Sequence, residues 1–316
     1  MSNKKIIAVF GATGAQGGGL AQAILNDPNS EYAVRAITRN SSSEKARALA
    51  SAGAEVIQAD IDNVQTVNDA LRGAYGAYFV TFFWDHFSPE KEYGQARTLA
   101  EAAKANGLKH VIWSTLEDTR KFVPLHDNSM PTLQGKYKVP HFDAKGEADQ
   151  HFVQLGVPAT FMMAAFYWEN MIYFGMGPKR GENGKLALTF PMGDKKMAGI
   201  AAGDIGRCAY GIFKRGTEMI GQTIGIAGEQ LSIKEMADKF AKALGEEVHY
   251  NAVTPEVYRG FGFPGAEDLG NMFQFYRDFE NYFADARNVD LSKELNPKLQ
   301  DFDTWLQHNA TKIPLE

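Results

Sequence analysis

Lys4-Lys5-Ile6-Ile7-Ala8-Val9-Phe10-Gly11-Ala12-Thr13-Gly14-Ala15-Gln16-Gly17 runs from an apolar strand through a glycine-spaced turn into a helix. Ile6 to Phe10 has the unbroken apolar character of a strand buried on both faces, and Leu20, Ala21, Ala23, Ile24 and Leu25 form a helical stripe beyond it. The glycines between them follow a Gly-x-x-Gly-x-x-Gly spacing and match a nucleotide phosphate cradle. Gly11 permits the tight turn, Gly14 lets backbone N–H groups approach a pyrophosphate, and Gly17 lets the helix pack closely on the strand. The candidate cofactor contacts here are Gly11, Ala12, Thr13, Gly14, Ala15, Gln16 and Gly17, with the pyrophosphate resting on the helix N-terminus.

Strand and helix alternate after this point. Strands are expected at Ala33–Thr38, Glu55–Ala59, Tyr78–Thr81, His110–Ser114 and Ala159–Met163. Helices are expected at Gly18–Asn26, Glu44–Ala52, Val64–Leu71, Lys91–Ala105 and Ala144–Leu155. Such alternation predicts an α/β fold, a Rossmann-type doubly wound parallel sheet covered by helices on both faces. Residues 166–197 are rich in glycine, aromatics and methionine without a sustained period, and read as a substrate-side loop region. Gly203–Lys214 is helical and Thr223–Ala227 is a strand able to return to the sheet. Ser232 with Glu235 marks a capping box for the helix Ser232–Leu244. The expected division is a Rossmann domain over 1–165, joined by 200–228, and a smaller α+β C-terminal lobe made of 166–199 and 229–316.

The tip of the second strand selects between dinucleotides. An acidic residue there would hold the 2′-hydroxyl of NAD, whereas this chain carries Arg39-Asn40-Ser41-Ser42-Ser43. A guanidinium forks onto a phosphate, and the serine hydroxyls add donors, so NADP(H) is favoured. The alternative is a solvated Arg39 with the serines capping the next helix. Asp60, at the end of the third strand, either accepts the adenine amino group or caps the helix that follows. The loop Thr81-Phe82-Phe83-Trp84-Asp85-His86-Phe87 places four aromatics on a connection. This composition points to a wall beside the nicotinamide, with Lys91 near phosphate or ribose, or to ordinary core packing.

Reduction on this scaffold calls for an acid, and short-chain dehydrogenases use Ser with Tyr-x-x-x-Lys. Ser114 closes the fifth strand and fills the serine position. Four residues before Lys145, however, stands His141, and Tyr137 is separated from Lys145 by Pro140. Lys145 can bond the nicotinamide ribose, and His141 can donate a proton from an imidazole that ordinarily titrates near neutrality, or serve packing alone. The remaining histidines and Cys208 show no metal-ligand spacing, so no metal is expected.

The chain has 316 residues, a net charge of −5 and one cysteine. These values argue against a direct nucleic-acid surface and against a disulfide framework, and Cys208 reads as packed in a helix. No secretory signal or long apolar run is evident, so a cytoplasmic location is expected, with nuclear presence possible and no membrane association.

Gly11-x-x-Gly14-x-x-Gly17, Arg39-Asn40, His141-Phe142-Asp143-Ala144-Lys145-Gly146-Glu147 and Tyr167-Trp168-Glu169-Asn170 together resemble the NmrA-like proteins, atypical relatives of the short-chain dehydrogenases. The resemblance extends to Gly262-Phe263-Pro264-Gly265-Ala266-Glu267-Asp268-Leu269-Gly270-Asn271-Met272-Phe273 and so covers nearly the whole chain. It is greatest to the members regarded as NADPH sensors. The resemblance implies cofactor contacts at Gly11 to Gln16, Arg39 to Ser43, Asp60, Ile61, Phe82, Lys91, Lys145, and at Ala165, Phe166, Tyr167 and Trp168. The loop from Phe122 to Val139 reads longer and more polar than is expected for those sensor-type members.

A complete dinucleotide site with an incomplete catalytic set leads to the expectation of an NADP(H)-binding redox sensor with a protein partner or a homodimer. The alternative is an NADPH-dependent reductase of a small quinone, aldehyde or enone, using Lys145 and His141. The aromatic stretches Phe82–Trp84 and Phe273–Tyr276 are candidates for a substrate wall or an interface.

Overall fold

A computed structural model describes residues 4–316. Its first half alternates β1 (Lys5–Phe10), α1 (Ala15–Leu25), β2 (Tyr32–Thr38), α2 (Glu44–Ser51), β3 (Glu55–Gln58), α3 (Val64–Leu71) and β4 (Gly76–Phe79). There follow α4 (Pro89–Ala105), β5 (His110–Thr115), α5 (Pro140–Gln154) and β6 (Ala159–Met163). The segment after β6 holds β7 (Phe166–Tyr167), α6 (Asn170–Tyr173), β8 (Lys179–Arg180), β9 (Leu186–Phe190) and β10 (Lys196–Ile200). Then come α7 (Ala202–Arg215), β11 (Thr223–Gly225), β12 (Glu229–Ser232), α8 (Ile233–Leu244) and β13 (Val248–Ala252). The chain finishes with α9 (Pro255–Arg259), α10 (Ala266–Asp278), α11 (Glu280–Ala286), α12 (Val289–Leu295) and α13 (Phe302–Asn309).

The main sheet is seven-stranded with the order β11-β6-β5-β4-β1-β2-β3, and every pairing in it is parallel. Side chains alternate across it. Ile7 and Val9 point to a core shared with α1 and α7, while Ala8 and Phe10 point to a second core filled by α3, α4 and α5. Burial on both faces explains the continuous apolar runs of the sequence. The strand order reverses between β1 and β4, and in such sheets ligands bind at this switch point, outside the carboxyl ends of the strands.

α1 begins at Ala15, three residues before its expected start, although Gly17, Gly18 and Gly19 are poor helix formers. Tertiary contact requires them. A Cβ on Gly17 would meet Gly11 O, one on Gly19 would strike Gly203 O, and one on Gly206 of α7 would strike Leu20 N. The two helices therefore cross backbone to backbone, and Cys208 lies in their buried core. Ser232 caps α8 and forms the reciprocal capping box with Glu235.

Two expectations need correction. Residues 166–197 are not simply loop, because β7 to β10 lie mostly within them and join two three-stranded sheets, β12-β10-β7 and β13-β9-β8. Phe273–Tyr276 is not a surface: Phe273, Gln274, Phe275 and Tyr276 are all buried within α10, so that stretch is unavailable as an interface. The C-terminal lobe is bolted to the main sheet by Arg287. Its guanidinium forks onto Glu117 at 2.6 and 3.0 Å, and its Nε donates to Ala164 O at 2.9 Å.

Candidate active site

The turn after β1 has the geometry of an anion cradle. Gly11 has φ +64°, a conformation that glycine adopts without strain. Gly14 is the N-cap of α1, makes no side-chain cap, and is followed by no acidic residue in the first turn. The leading N–H groups of α1 are thus left to a ligand. Gly11, Gly14 and Ala15 are exposed, Thr13 is half-buried, and Ala12 is packed into the core. Gln16 turns inward instead. Its Nε2 donates to the Tyr167 hydroxyl, and its Oε1 accepts from the Tyr78 hydroxyl and, at 2.9 Å, from Ser114 Oγ. Burial, relieved by the Gln16 bond, pushes the Tyr167 phenol up to about 12.

Ser114 is therefore joined to Gln16, and its hydroxyl bonds neither His141 nor Lys145. Residues on a strand alternate faces, and Trp113, the neighbour of Ser114, is the residue that lies against Lys145, 5.1 Å from Nζ to ring centre.

The 2′-phosphate candidates surround the tips of β2 and β3. Arg39 is exposed and pairs with Asp85 at 2.7 Å, and Lys91 pairs with Asp62 at 2.7 Å. Asn40 Oδ1 accepts from Ser42 N and Oγ, Ser41 bonds Gln58, and Ser43 caps α2. Asp60 does not cap α3, since Asn63 does so; the Asp60 carboxylate accepts from Asp62 N. Ile61 is half-buried beside it. The two cations thus stand among three carboxylates, Asp60, Asp62 and Asp85, and the Asp85 bond chiefly holds the Arg39 proton more tightly than usual.

α5 starts at Pro140, four residues before the expected start, because proline at the first helical position gives up an N–H that has no partner in any case. His141 and Lys145 consequently stack one turn apart. Lys145 is buried. Its Nζ donates to Thr81 Oγ1 at 2.6 Å and Thr81 O at 3.4 Å and pairs with Glu92 at 2.7 Å. Thr81 in turn donates to Glu92 at 2.6 Å. Burial alone would raise the Glu92 carboxyl, but the Lys145 charge, the His86 ring 3.4 Å away and the contacts from Lys145 and Thr81 bring it down to about 2.

His141 is held differently. Its Nδ1 lies 2.6 Å from Asp268 Oδ1, and its backbone N–H donates to the same carboxylate at 3.2 Å. Trp84 and Phe83 cover the ring at 4.7 and 5.9 Å between centres. Phe83 is buried while Phe82 is 54 % exposed, so the aromatic loop divides between core and surface. Sequence reasoning missed both Asp268 and Glu92.

Ala165, Phe166 and Trp168 are buried and Tyr167 is half-buried. The Trp168 indole packs on Phe302 and Trp305 at 5.2 and 6.0 Å and presses on Gly199, so it offers no side-chain surface to a ligand. Among the described residues, no group of three or more His, Cys, Asp or Glu is placed to hold a metal ion, and no helix is long and apolar enough to cross a membrane.

A parallel doubly wound sheet with a glycine cradle at its switch point and a histidine–lysine helix beside it defines a Rossmann-type dinucleotide-binding protein. The NmrA-like family model matches residues 3–306, and the chain belongs to that family. It is 30 % identical to the NmrA-like family domain-containing oxidoreductase FrzB of a Cladobotryum species over 92 % of this chain and 90 % of that one. Among solved structures it is similar to NmrA, a negative transcriptional regulator, in complex with NADP. That match has a TM-score of 0.76 and 23 % identity, and covers 98 % of this chain and 96 % of the other. It is also similar to the Citrobacter sp. triphenylmethane reductase complexed with NADP(H), with a TM-score of 0.73, 20 % identity and coverage of 96 % and 99 %.

Proposed function

We propose that the protein is an NADP(H)-dependent reductase in which His141, oriented by Asp268, supplies the proton. The observation that carries this reading is the 2.6 Å contact between His141 Nδ1 and Asp268 Oδ1. A carboxylate on Nδ1 fixes the tautomer, turns Nε2 outward and stabilises the imidazolium, and this arrangement lets a histidine act as an acid without a tyrosine. Lys145 is less suited to that role, because Thr81 and Glu92 occupy its donors. Its part is to fix α5 and to share a hydrogen bond with a ribose.

Gly11, Gly14 and Ala15 would hold the pyrophosphate and Arg39 the 2′-phosphate, and the cofactor when bound supplies the hydride. The naming of FrzB as an oxidoreductase and of the Citrobacter enzyme as a reductase agrees with this reading. The test follows NADPH oxidation at 340 nm across quinones, aldehydes and enones. Substrate-dependent oxidation that falls about 100-fold or more in His141→Ala is the expected result. Full activity in that variant, or no oxidation with any of these classes, would remove the reading.

A second reading, a cofactor-state sensor acting through a protein partner or a homodimer, is favoured by one observation. Arg39 and Lys91 are both paired with carboxylates, Asp85 and Asp62, so cofactor binding would rearrange the loop that carries Asp85. A sensor needs differential affinity, because ligands bound equally shift no equilibrium. Calorimetric titration with NADPH and NADP⁺ decides this, and affinities within twofold would end the sensor reading.

A further inference from the structure

On the far side of Asp268, a cavity of about 440 Å³ lies between the loop after β4, the loop before α5 and the segment that leads into α10. Its volume falls in the range of roughly 300–1,000 Å³ that small-molecule sites occupy. Three phenyl rings wall it, those of Phe83, Phe87 and Phe263, and the last two are also partly exposed at its rim. Among the described residues, only two other than glycine have a left-handed backbone, Phe87 at φ 53° and Gln134 at φ 48°. Both line this cavity, and Gln134 Nε2 donates to Phe87 O at 3.5 Å. Strained conformations of this kind persist where the surroundings enforce them, and they gather at ligand sites.

The polar lining is one-sided. Asp268 is buried and engaged with His141, and Glu267 stands exposed at the mouth with no ion pair among the described residues. Arg259 also lines the cavity, but Glu256, Asn271 and Gln274 occupy its guanidinium. An aromatic wall with a free carboxylate selects rings that carry a positive charge or an N–H donor, since phenyl faces attract both.

We propose that this cavity binds a flat, fused-ring aromatic molecule bearing an amino, N–H or cationic group, with the ring between Phe87 and Phe263 and the donor on Glu267. As a binding site it stands apart from the reductase reading, because Asp268 lies between the cavity and the Nδ1 edge of His141, which does not line it. Loop 122–139 contributes Leu133 and Gln134 to the wall. Asn271 and Gln274 of α10 pin that loop by donating to Pro131 O at 2.9 Å and Ser129 O at 2.8 Å.

The test titrates proflavine, a tricyclic aromatic cation with two amino groups, by fluorescence anisotropy, with 2-naphthol as the uncharged comparison. Wild type is expected to bind proflavine more tightly than 2-naphthol. Glu267→Gln should weaken proflavine at least fivefold and leave 2-naphthol unchanged, and Leu133→Trp, which fills the cavity, should weaken both at least tenfold. Phe263→Ala repeats the loss by removing a wall if the tryptophan variant fails to fold. NADPH affinity and melting temperature are measured on every variant and should hold. Proflavine binding that Leu133→Trp and Phe263→Ala leave intact, or no binding at all, overturns the site whether or not turnover is found. Cavity-dependent binding without any substrate-dependent NADPH oxidation would instead keep the site and remove the reductase.

Discussion

Arg39 Nη1 lies 2.7 Å from Asp85 Oδ2, a bond that ties the tip of β2 to the aromatic loop after β4. Both side chains are at least half exposed, so as a stabilising ion pair it contributes little. Its consequence is competition, because a 2′-phosphate on Arg39 must displace Asp85 or share with it. Asp85→Asn is expected to tighten NADPH several-fold and leave NADH unchanged. Arg39→Asp is expected to weaken NADPH by roughly 10- to 100-fold, the worth of about 1.4–2.8 kcal/mol. Calorimetry with both cofactors checks this. Unchanged NADPH affinity in Arg39→Asp would show that the phosphate binds elsewhere.

If His141 is the acid, Asp268 acts through it. Asp268→Asn keeps the size of the side chain but can present an amide N–H to Nδ1, which favours the wrong tautomer. The expected outcome is a fall in kcat of about 100-fold with little change in KM. A variant that changes KM alone would assign Asp268 to packing the C-terminal lobe.

The doubly wound sheet was legible because its signals are local. Glycine spacing, apolar runs and the Ser232 capping box all lie within a few residues of what they specify. The smaller sheets were not, since β7 and β8 are two residues long and β9 finds its partner at Val248–Ala252. Yet Leu186, Leu188 and Phe190 alternate with half-buried residues, a period of two that glycine-rich neighbours obscured. The site divides in the same way. His141 and Lys145 were visible as a helical pair, but Asp268 lies 127 residues from His141. Glu92 did leave a trace, because it falls on the stripe of Ala96, Leu99 and Ala103, where a charge inside an apolar face implies a buried partner.

Asp149 provides a pH dependence. It projects from α5 towards β5, half-buried, and its Oδ1 accepts from Trp113 Nε1 at 2.9 Å and Thr115 Oγ1 at 2.6 Å. Burial raises its carboxyl to about 7 despite those bonds. The folded state therefore binds this proton more tightly than the unfolded state. Its contribution is fully present below about pH 3.8 and is lost as pH rises towards 7. Asp149→Asn, which can accept both bonds on one oxygen, should become the more stable protein across that interval. The gain at pH 8 should be on the order of 2–4 kcal/mol by urea unfolding. A difference from wild type that is constant from pH 4 to 8 would show that Asp149 ionises freely.

The Arg287–Glu117 pair separates what holds the lobes together from what the site does. Arg287 is fully buried, and its guanidinium also stacks 3.6 Å from the centre of the Phe283 ring. Removing one partner leaves the other charge uncompensated inside the protein. Arg287→Met is therefore expected to cost about 3–5 kcal/mol, and Glu117→Gln a comparable amount. The double variant removes both charges and should recover much of the loss, an interaction that a double-mutant cycle in urea reads directly. Because Arg287 also holds Ala164 O, next to the implied cofactor segment Ala165–Tyr167, the recovered double variant should still bind NADPH more weakly than wild type. Strict additivity of the two single losses would mean that the charges are already satisfied independently, with the lobes joined by apolar packing alone.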